Sequence, residues 1–380
     1  MELILKHYDI PLLRFSATND SSTPEIEVHW INEDQRHLLP LDMELSPEGI
    51  SRWMRRRTIP RNRAYVNRLL AKCGLNANRP MGILALCKGL SVDDSYWVVE
   101  EGFEGTFEKY NLFENRFSEV LALIAFTGYG SSNRSSLASS PEFTTNGMLP
   151  KCWRRISGKV TLYKGGTDGG YNTGAEPYCE YYAAQVAAAM GIDAIPYGLS
   201  QWKGRLCSTC ELFTDIDHAY MPIGNLVQKG GFDAVVAYYE NLGEPFQKAF
   251  RDMLVFDAVI CNTDRHYGNF GFMIDNKTNT IATPAPLFDH GNSLFNQAGP
   301  EDYESPEAFQ QYIDTLVPCV YDDFFATAKR FMADENREQL RKLLGFRFKR
   351  HVRYNLPPTR LKLMEEQVRK RAMRLLENKE

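Results

Sequence analysis

The sequence has no apolar run long enough to cross a bilayer. Stretches such as Val120-Leu-Ala-Leu-Ile-Ala-Phe126 fall far short of the ~20 residues a spanning helix needs. The opening Met1-Glu-Leu-Ile-Leu-Lys-His is interrupted by charge too early for a secretory signal, so none is expected there. There is no excess of one charge sign. Lys and Arg number 44 against 48 Asp and Glu, and the net charge of −4 gives no whole-molecule attraction to nucleic acid or to a membrane. No disulfide framework is visible either: the eight cysteines are scattered through apolar segments, which favours reduced thiols and a cytoplasmic setting. Cys207-Ser-Thr-Cys210, with His218 beyond it, has no second Cys pair, so core thiols are expected there rather than structural zinc. No internal repeat is present. What remains is a 380-residue chain, 43% apolar and 24% charged, of ordinary globular composition and long enough for two or three structural units.

Hydrophobic periodicity divides the chain. Leu3-Ile-Leu5, Ile10 to Phe15 and Ile26 to Ile31 read as short strands, with a loop over residues 19–24. From Ser46 the period becomes helical: Ser46 is an N-cap followed by proline, and Ile50, Trp53 and Met54 share a face. Arg52, Arg55, Arg56, Arg57, Arg61 and Arg63 make this region locally basic, and a solvated or interdomain helix face is the plain expectation. An amphipathic helix is expected over residues 115–126, then a Ser/Gly-rich loop over residues 128–141. Residues 151–156 and 160–164 read as a hairpin around Ser157-Gly158. A glycine-rich connection over residues 165–174 follows, then a helix from Pro177 to Met190 stopped by Gly191. Beyond residue 215 the chain reads as mostly helical apart from strand-like pieces around residues 262–291, and it ends in a basic helix whose stripe is Leu361, Met364, Val368, Met373 and Leu375.

The densest chemistry lies in Asn262-Thr-Asp264-Arg-His266-Tyr-Gly-Asn269 and Leu287-Phe-Asp289-His290. Asp264 and Asn269 stand five positions apart in a polar loop, and Asp289 follows twenty positions later. Phosphoryl transfer needs one carboxylate to orient the attacking hydroxyl, and an amide oxygen with a second carboxylate to hold Mg²⁺ against nucleotide phosphates. Asp264 fits the first role; Asn269 and Asp289 fit the second. Lys164, at the end of a strand, could reach the phosphates, and Glu180, early in the next helix, could pair with it. Ahead of the hairpin, Asn146-Gly147 gives a tight turn with exposed amides, and Lys151 adds a cation there. A metal hydrolase built on Asp264, His266, Asp289 and His290 is the rival, but it leaves Asn269 and Lys164 without a role.

In its order of motifs the chain resembles the HipA-like serine/threonine kinases, relatives of the protein-kinase and phosphatidylinositol-3/4-kinase superfamily. The 262–269 segment is similar to that family's catalytic loop and the 287–290 segment to its metal-binding segment, over a resemblance spanning roughly residues 110–375. It implies an α+β, bilobal protein-kinase-like fold, with a small β-rich N-lobe over residues 106–215, a mostly helical C-lobe over 216–380 and an α/β extension over 1–105. It implies ATP and Mg²⁺ as cofactors, Lys164 and Glu180 as the nucleotide lysine and its partner, and Cys210-Glu211-Leu212-Phe213 as the interlobe hinge whose backbone meets adenine. It further implies autophosphorylation in the phosphate-loop segment, where Thr144 occupies the corresponding position, with Thr145 and the upstream serines as near alternatives. A toxin-type or regulatory role with an antitoxin or other regulatory protein is also implied.

The acceptor class follows from charge. Between Gly291 and Thr315 stand Glu301, Asp302, Glu304, Glu307 and Asp314 with no Lys or Arg, which repels an anionic membrane and suits a polypeptide carrying Ser or Thr. A phosphatidylinositol kinase is the runner-up, and a nucleotide-binding pseudokinase acting as an interaction module the third alternative.

Overall fold

In the computed structural model, which describes residues 1–18, 24–130, 140–169 and 173–377, the N-terminal apolar runs are strands. Ile26–Ile31, Ile10–Ala17, Glu2–His7 and Tyr96–Glu100 lie side by side in that order as an antiparallel sheet. Alternation puts Leu3, Leu5 and His7 on the buried face of Glu2–His7. Ile50, Trp53 and Met54 of helix Pro47–Arg56 join Leu3, Leu5 and Phe15 in one core. Ser46 caps that helix by accepting a hydrogen bond from the Gly49 amide.

The described residues form two compact units. The first comprises residues 1–164, 211–221 and 273–282, and the second residues 165–210, 222–272 and 283–380. The first is rich in β structure and carries the hairpin of Lys151–Ile156 with Lys159–Gly165, in the expected place. The second is mostly helical, led by Glu176–Met190, Phe246–Ile260 and Pro358–Leu376. The chain is thus α+β, β-rich towards its N-terminus and helical towards its C-terminus. Among the described residues no helix is long and apolar enough to cross a membrane.

Several expectations are corrected. The helix placed over residues 115–126 is Glu119–Thr127, because Ser118 caps it and leaves Asn115 to Phe117 outside. The basic face is not uniformly solvated: Arg57 and Arg63 are buried. Arg57 makes a bidentate pair with Asp94 at 2.7 and 2.8 Å, and its Nε donates to Gly89 O. In the C-terminal helix Met373 is exposed and Ala372 takes its place in the stripe, while Arg371 is buried and donates to Ala258 O at 2.7 Å. The loops expected over residues 19–24, 128–141 and 165–174 fall partly on residues 19–23, 131–139 and 170–172, which lie outside the described ones.

His7 carries a testable pH dependence. Its ring is buried between Tyr8 and Tyr96, with centroids 4.7 Å away on each side. Burial lowers its pKa from the ordinary 6.5 to about 4, against a weaker upward pull from Asp94. The unfolded chain therefore binds a proton that the folded one refuses. The neutral-pH stability falls as pH drops from about 6.5 to about 4, by up to ~3 kcal/mol from this residue. Asp93, pushed up to about 6 by burial, works in the opposite sense, so the comparison is made against a variant. His7→Phe is expected to lose less stability than the parent between pH 7 and pH 5 in urea titrations. Equal losses would remove His7 as the cause.

Candidate active site

The site in the second unit is built from the end of a helix. Phe246–Ile260 stops at Cys261, whose left-handed backbone lets its amide donate back to Asp257 O. Asp257, in the last turn, is the one carboxylate in the apolar run Met253-Leu-Val-Phe-Asp-Ala-Val-Ile260 and is fully buried. It accepts from Arg265 Nε at 2.9 Å and from Arg265 Nη2 at 3.0 Å, and from Asn262 Nδ2 at 3.1 Å. Arg265 is itself only 1% exposed. Its Nη1 donates to Asn269 O at 3.1 Å and Phe288 O at 2.6 Å, and its Nη2 meets His290 Nδ1 at 3.0 Å. One guanidinium thus joins the Asn269 end of the 262–269 loop to the 287–290 segment, while Asp257 holds both that guanidinium and Asn262. Burial pushes the Asp257 carboxyl up against the pull of Arg265. Burial also opposes the charge on Arg265, but Asp257 more than offsets this and holds the guanidinium charged.

The expected catalytic residues stand on this frame. Asp264 is half-buried; its amide donates to Asn262 Oδ1 at 3.1 Å and its Oδ2 accepts from Asn292 Nδ2 at 2.9 Å. Asn269 Nδ2 donates to Asp264 O at 3.3 Å, which commits the donor end of the carboxamide and leaves the oxygen end for a cation. Asp289 sits at φ 57°, and its amide donates to Tyr197 Oη at 3.1 Å. Next to it, His290 N donates to Glu180 Oε2 at 2.7 Å, so Glu180 braces the backbone of the 287–290 segment. Because Asn tolerates a left-handed backbone better than Ala, Asp289→Ala is expected to be about 1 kcal/mol less stable than Asp289→Asn in urea melts. Equal stabilities would count against the strain.

The remaining predicted residues lie in the first unit. Lys151 and Lys164 face each other in register on the hairpin, and both are buried. Asn146 and Gly147 form an exposed turn; Gly147 has φ 89°, and a Cβ there would collide with Lys151 Nζ. Thr144 is buried and donates to Leu90 O at 2.9 Å. Thr145 is half-buried; its hydroxyl donates to Pro141 O at 2.6 Å and accepts from Trp153 Nε1 at 3.0 Å. Glu211 makes an exposed pair with Lys159 at 2.7 Å, Leu212 N donates to Val160 O, and the Phe213 ring lies 5.5 Å from that of Tyr220.

Oxygen donors from Asn269 and Asp289 suit a hard cation such as Mg²⁺, which takes few protein ligands and completes its shell with water and phosphate. Both imidazoles of the hydrolase alternative are engaged locally. His266 Nδ1 accepts from Gly268 N at 3.0 Å, and His290 Nδ1 faces Arg265. Among the described residues no group of three His, Cys, Asp or Glu is placed to hold a metal. Of the CxxC, Cys207 is buried and Cys210 half-buried, while His218 Nδ1 lies 2.9 Å from Asp215 Oδ1. Sequence reasoning missed Asp257, Arg265, Tyr197 and Asn292. A lone carboxylate in the apolar run Met253 to Ile260 is the available signal for Asp257; Asn292 gives none.

No family model matches the chain. The serine/threonine-protein kinase CtkA of Helicobacter pylori strain J99 is 28% identical over 135 residues, covering 32% of this chain and 41% of that protein. The chain therefore matches only about two fifths of that relative's length. Among solved structures, one from the HipA–HipB–operator DNA complex of the Shewanella oneidensis MR-1 toxin–antitoxin system superposes with a TM-score of 0.53 at 13% identity. That match covers 98% of this chain and 97% of the other, so the two share a fold over nearly their whole length. The crystal structure of the H. pylori proinflammatory kinase CtkA gives a TM-score of 0.48 at 16% identity, over 61% of this chain and 90% of that one.

Proposed function

We propose that this chain, HipA-like in fold and related in sequence to a serine/threonine-protein kinase, transfers the γ-phosphoryl group of ATP to a Ser or Thr hydroxyl of a protein. The observation that carries the reading is the Arg265 guanidinium, which gathers the Asp264–Asn269 loop and the Phe288–His290 segment into one frame. Asp264 orients the acceptor hydroxyl and takes up its proton, held on target by Asn292. Asn269 and Asp289 hold Mg²⁺, which when bound offsets charge on the nucleotide phosphates. Lys164 and Lys151, with the amides of the Asn146–Gly147 turn, are the candidates for phosphate contacts, and the backbone from Glu211 to Phe213 for adenine.

The acidic residues Glu301, Asp302, Glu304, Glu307 and Asp314 support a polypeptide acceptor over an anionic lipid. Glu301, Glu304, Glu307 and Asp314 are exposed and Asp302 is half-buried. A cytoplasmic setting fits the composition. An antitoxin-like or other regulatory protein is the partner class suggested by the HipA assembly, which was solved with HipB. Autophosphorylation is proposed at Thr144 or Thr145. Thr145 is the more accessible, but its hydroxyl must leave Pro141 O and Trp153 before it can react.

Incubation with Mg·ATP followed by phosphopeptide mapping tests this. Phosphate on residues 144–145 and on added proteins is expected. Phosphate entering phosphatidylinositol vesicles and no protein would promote the lipid-kinase alternative.

A further inference from the structure

The Asn146–Gly147–Met148 tip is exposed, with Met148 64% exposed. Its shape is held by polar anchors at its base. Those anchors come from an arginine more than eighty positions away in sequence. The Arg63 side chain has no solvent exposure, and neither has that of its partner Glu142. Arg63 Nη1 donates to Glu142 O at 2.7 Å and Thr145 O at 3.3 Å; Nη2 donates to Glu142 Oε2 at 2.5 Å and Lys151 O at 2.9 Å. The next residue, Ala64, donates its amide to Met148 O at 2.8 Å. The second Glu142 oxygen accepts from Trp153 N at 2.8 Å, and the Trp153 indole reaches back to Thr145. Carbonyls before, within and after the turn are thus all held from residues 63–64.

We propose that Arg63 is a positioning residue that sets the shape of the phosphate-covering turn, and that this is a task of the chain's N-terminal part in nucleotide binding. The nucleotide half of the proposal rests on the kinase reading; the clamp itself does not. Arg63 suits the task because a planar, always-charged fork can serve several acceptors at fixed angles, which a lysine cannot. Only its Nε lacks a partner among the described residues. The turn amides at 146–148 and the Lys151 ammonium beneath Gly147 are the groups whose placement depends on it. Arg63 touches no reacting atom on this account, so its loss acts on nucleotide affinity more than on the chemical step.

The test uses the full chain with two variants. Arg63→Lys keeps the charge but loses the fork; Glu142→Gln keeps the shape and the Trp153 bond but loses the ion pair. Hydrogen exchange of the Ala64 and Thr145 amides, which are bonded to Met148 O and Pro141 O, is expected to rise at least about tenfold in both, with residues 2–17 of the first sheet unchanged. The KM for ATP is expected to rise about tenfold, with kcat within about threefold. If Arg63→Lys does not fold, Glu142→Gln alone is read. Unchanged exchange at Ala64 and Thr145 in a folded variant overturns the clamp, even in an active kinase. Faster exchange in a chain that transfers no phosphate upholds the clamp and removes the kinase reading. Faster exchange with an unchanged ATP KM in an active enzyme overturns the assigned role in nucleotide binding.

Discussion

Arg265→Leu is expected to cost about 3–5 kcal/mol of folding stability, because it strands the Asp257 carboxylate in the interior. Both side chains of this pair are at most 1% exposed, and the guanidinium satisfies two further carbonyls. Removing it leaves a buried charge and two backbone acceptors without donors. The exposed Lys159–Glu211 pair, with side chains 65% and 61% exposed, is the control. Lys159→Ala should change stability by less than about 1 kcal/mol. Urea denaturation of the three proteins measures this directly. An Arg265→Leu protein as stable as its parent would mean that the frame holding the 262–269 loop lies elsewhere.

Asp264→Asn is expected to lower phosphoryl transfer on the order of 10²- to 10⁴-fold, the range of a positioned proton acceptor. Folding should survive, because the new carboxamide keeps an oxygen to accept from Asn292 Nδ2, and the backbone bond to Asn262 is untouched. Asn292→Ala removes the hydrogen bond that aims the carboxylate, together with the oxygen that accepts from Asn296 Nδ2 at 2.9 Å. Its loss of activity should be clearly smaller than that of Asp264→Asn. Steady-state rates on one acceptor protein give the comparison; equal losses would make Asn292 part of the reacting set instead.

The elements were legible where local chemistry decides them. Ser46 and Pro47 mark a helix start, Gly191 a helix stop and Ser157-Gly158 a hairpin turn, and the structure places each as read. The order of Lys164, Glu180, Asp264, Asn269 and Asp289 also suggested the fold, through its resemblance to the motif order of the HipA-like kinases, although a lysine ending a strand is common and carries little by itself. The orientation of long cationic side chains was not legible. Arg63, Arg265 and Arg371 each lie among other charged or polar residues in sequence, yet each turns inwards to acceptors far along the chain. Such acceptors are backbone carbonyls, which every residue carries, so no pattern of side chains announces them. The same holds for Glu180, whose observed bond to His290 N depends on the course of the backbone 110 positions later.

The central claim is that the Asp264 carboxylate serves phosphoryl transfer from ATP to protein. It is tested most directly by incubating the parent and Asp264→Asn proteins with γ-labelled ATP, Mg²⁺ and a protein lysate, and counting label in polypeptide. The parent should label itself or lysate proteins, and Asp264→Asn should give a signal lower by the 10²- to 10⁴-fold expected for a lost proton acceptor. Label in polypeptide at parental levels with Asp264→Asn would contradict the account.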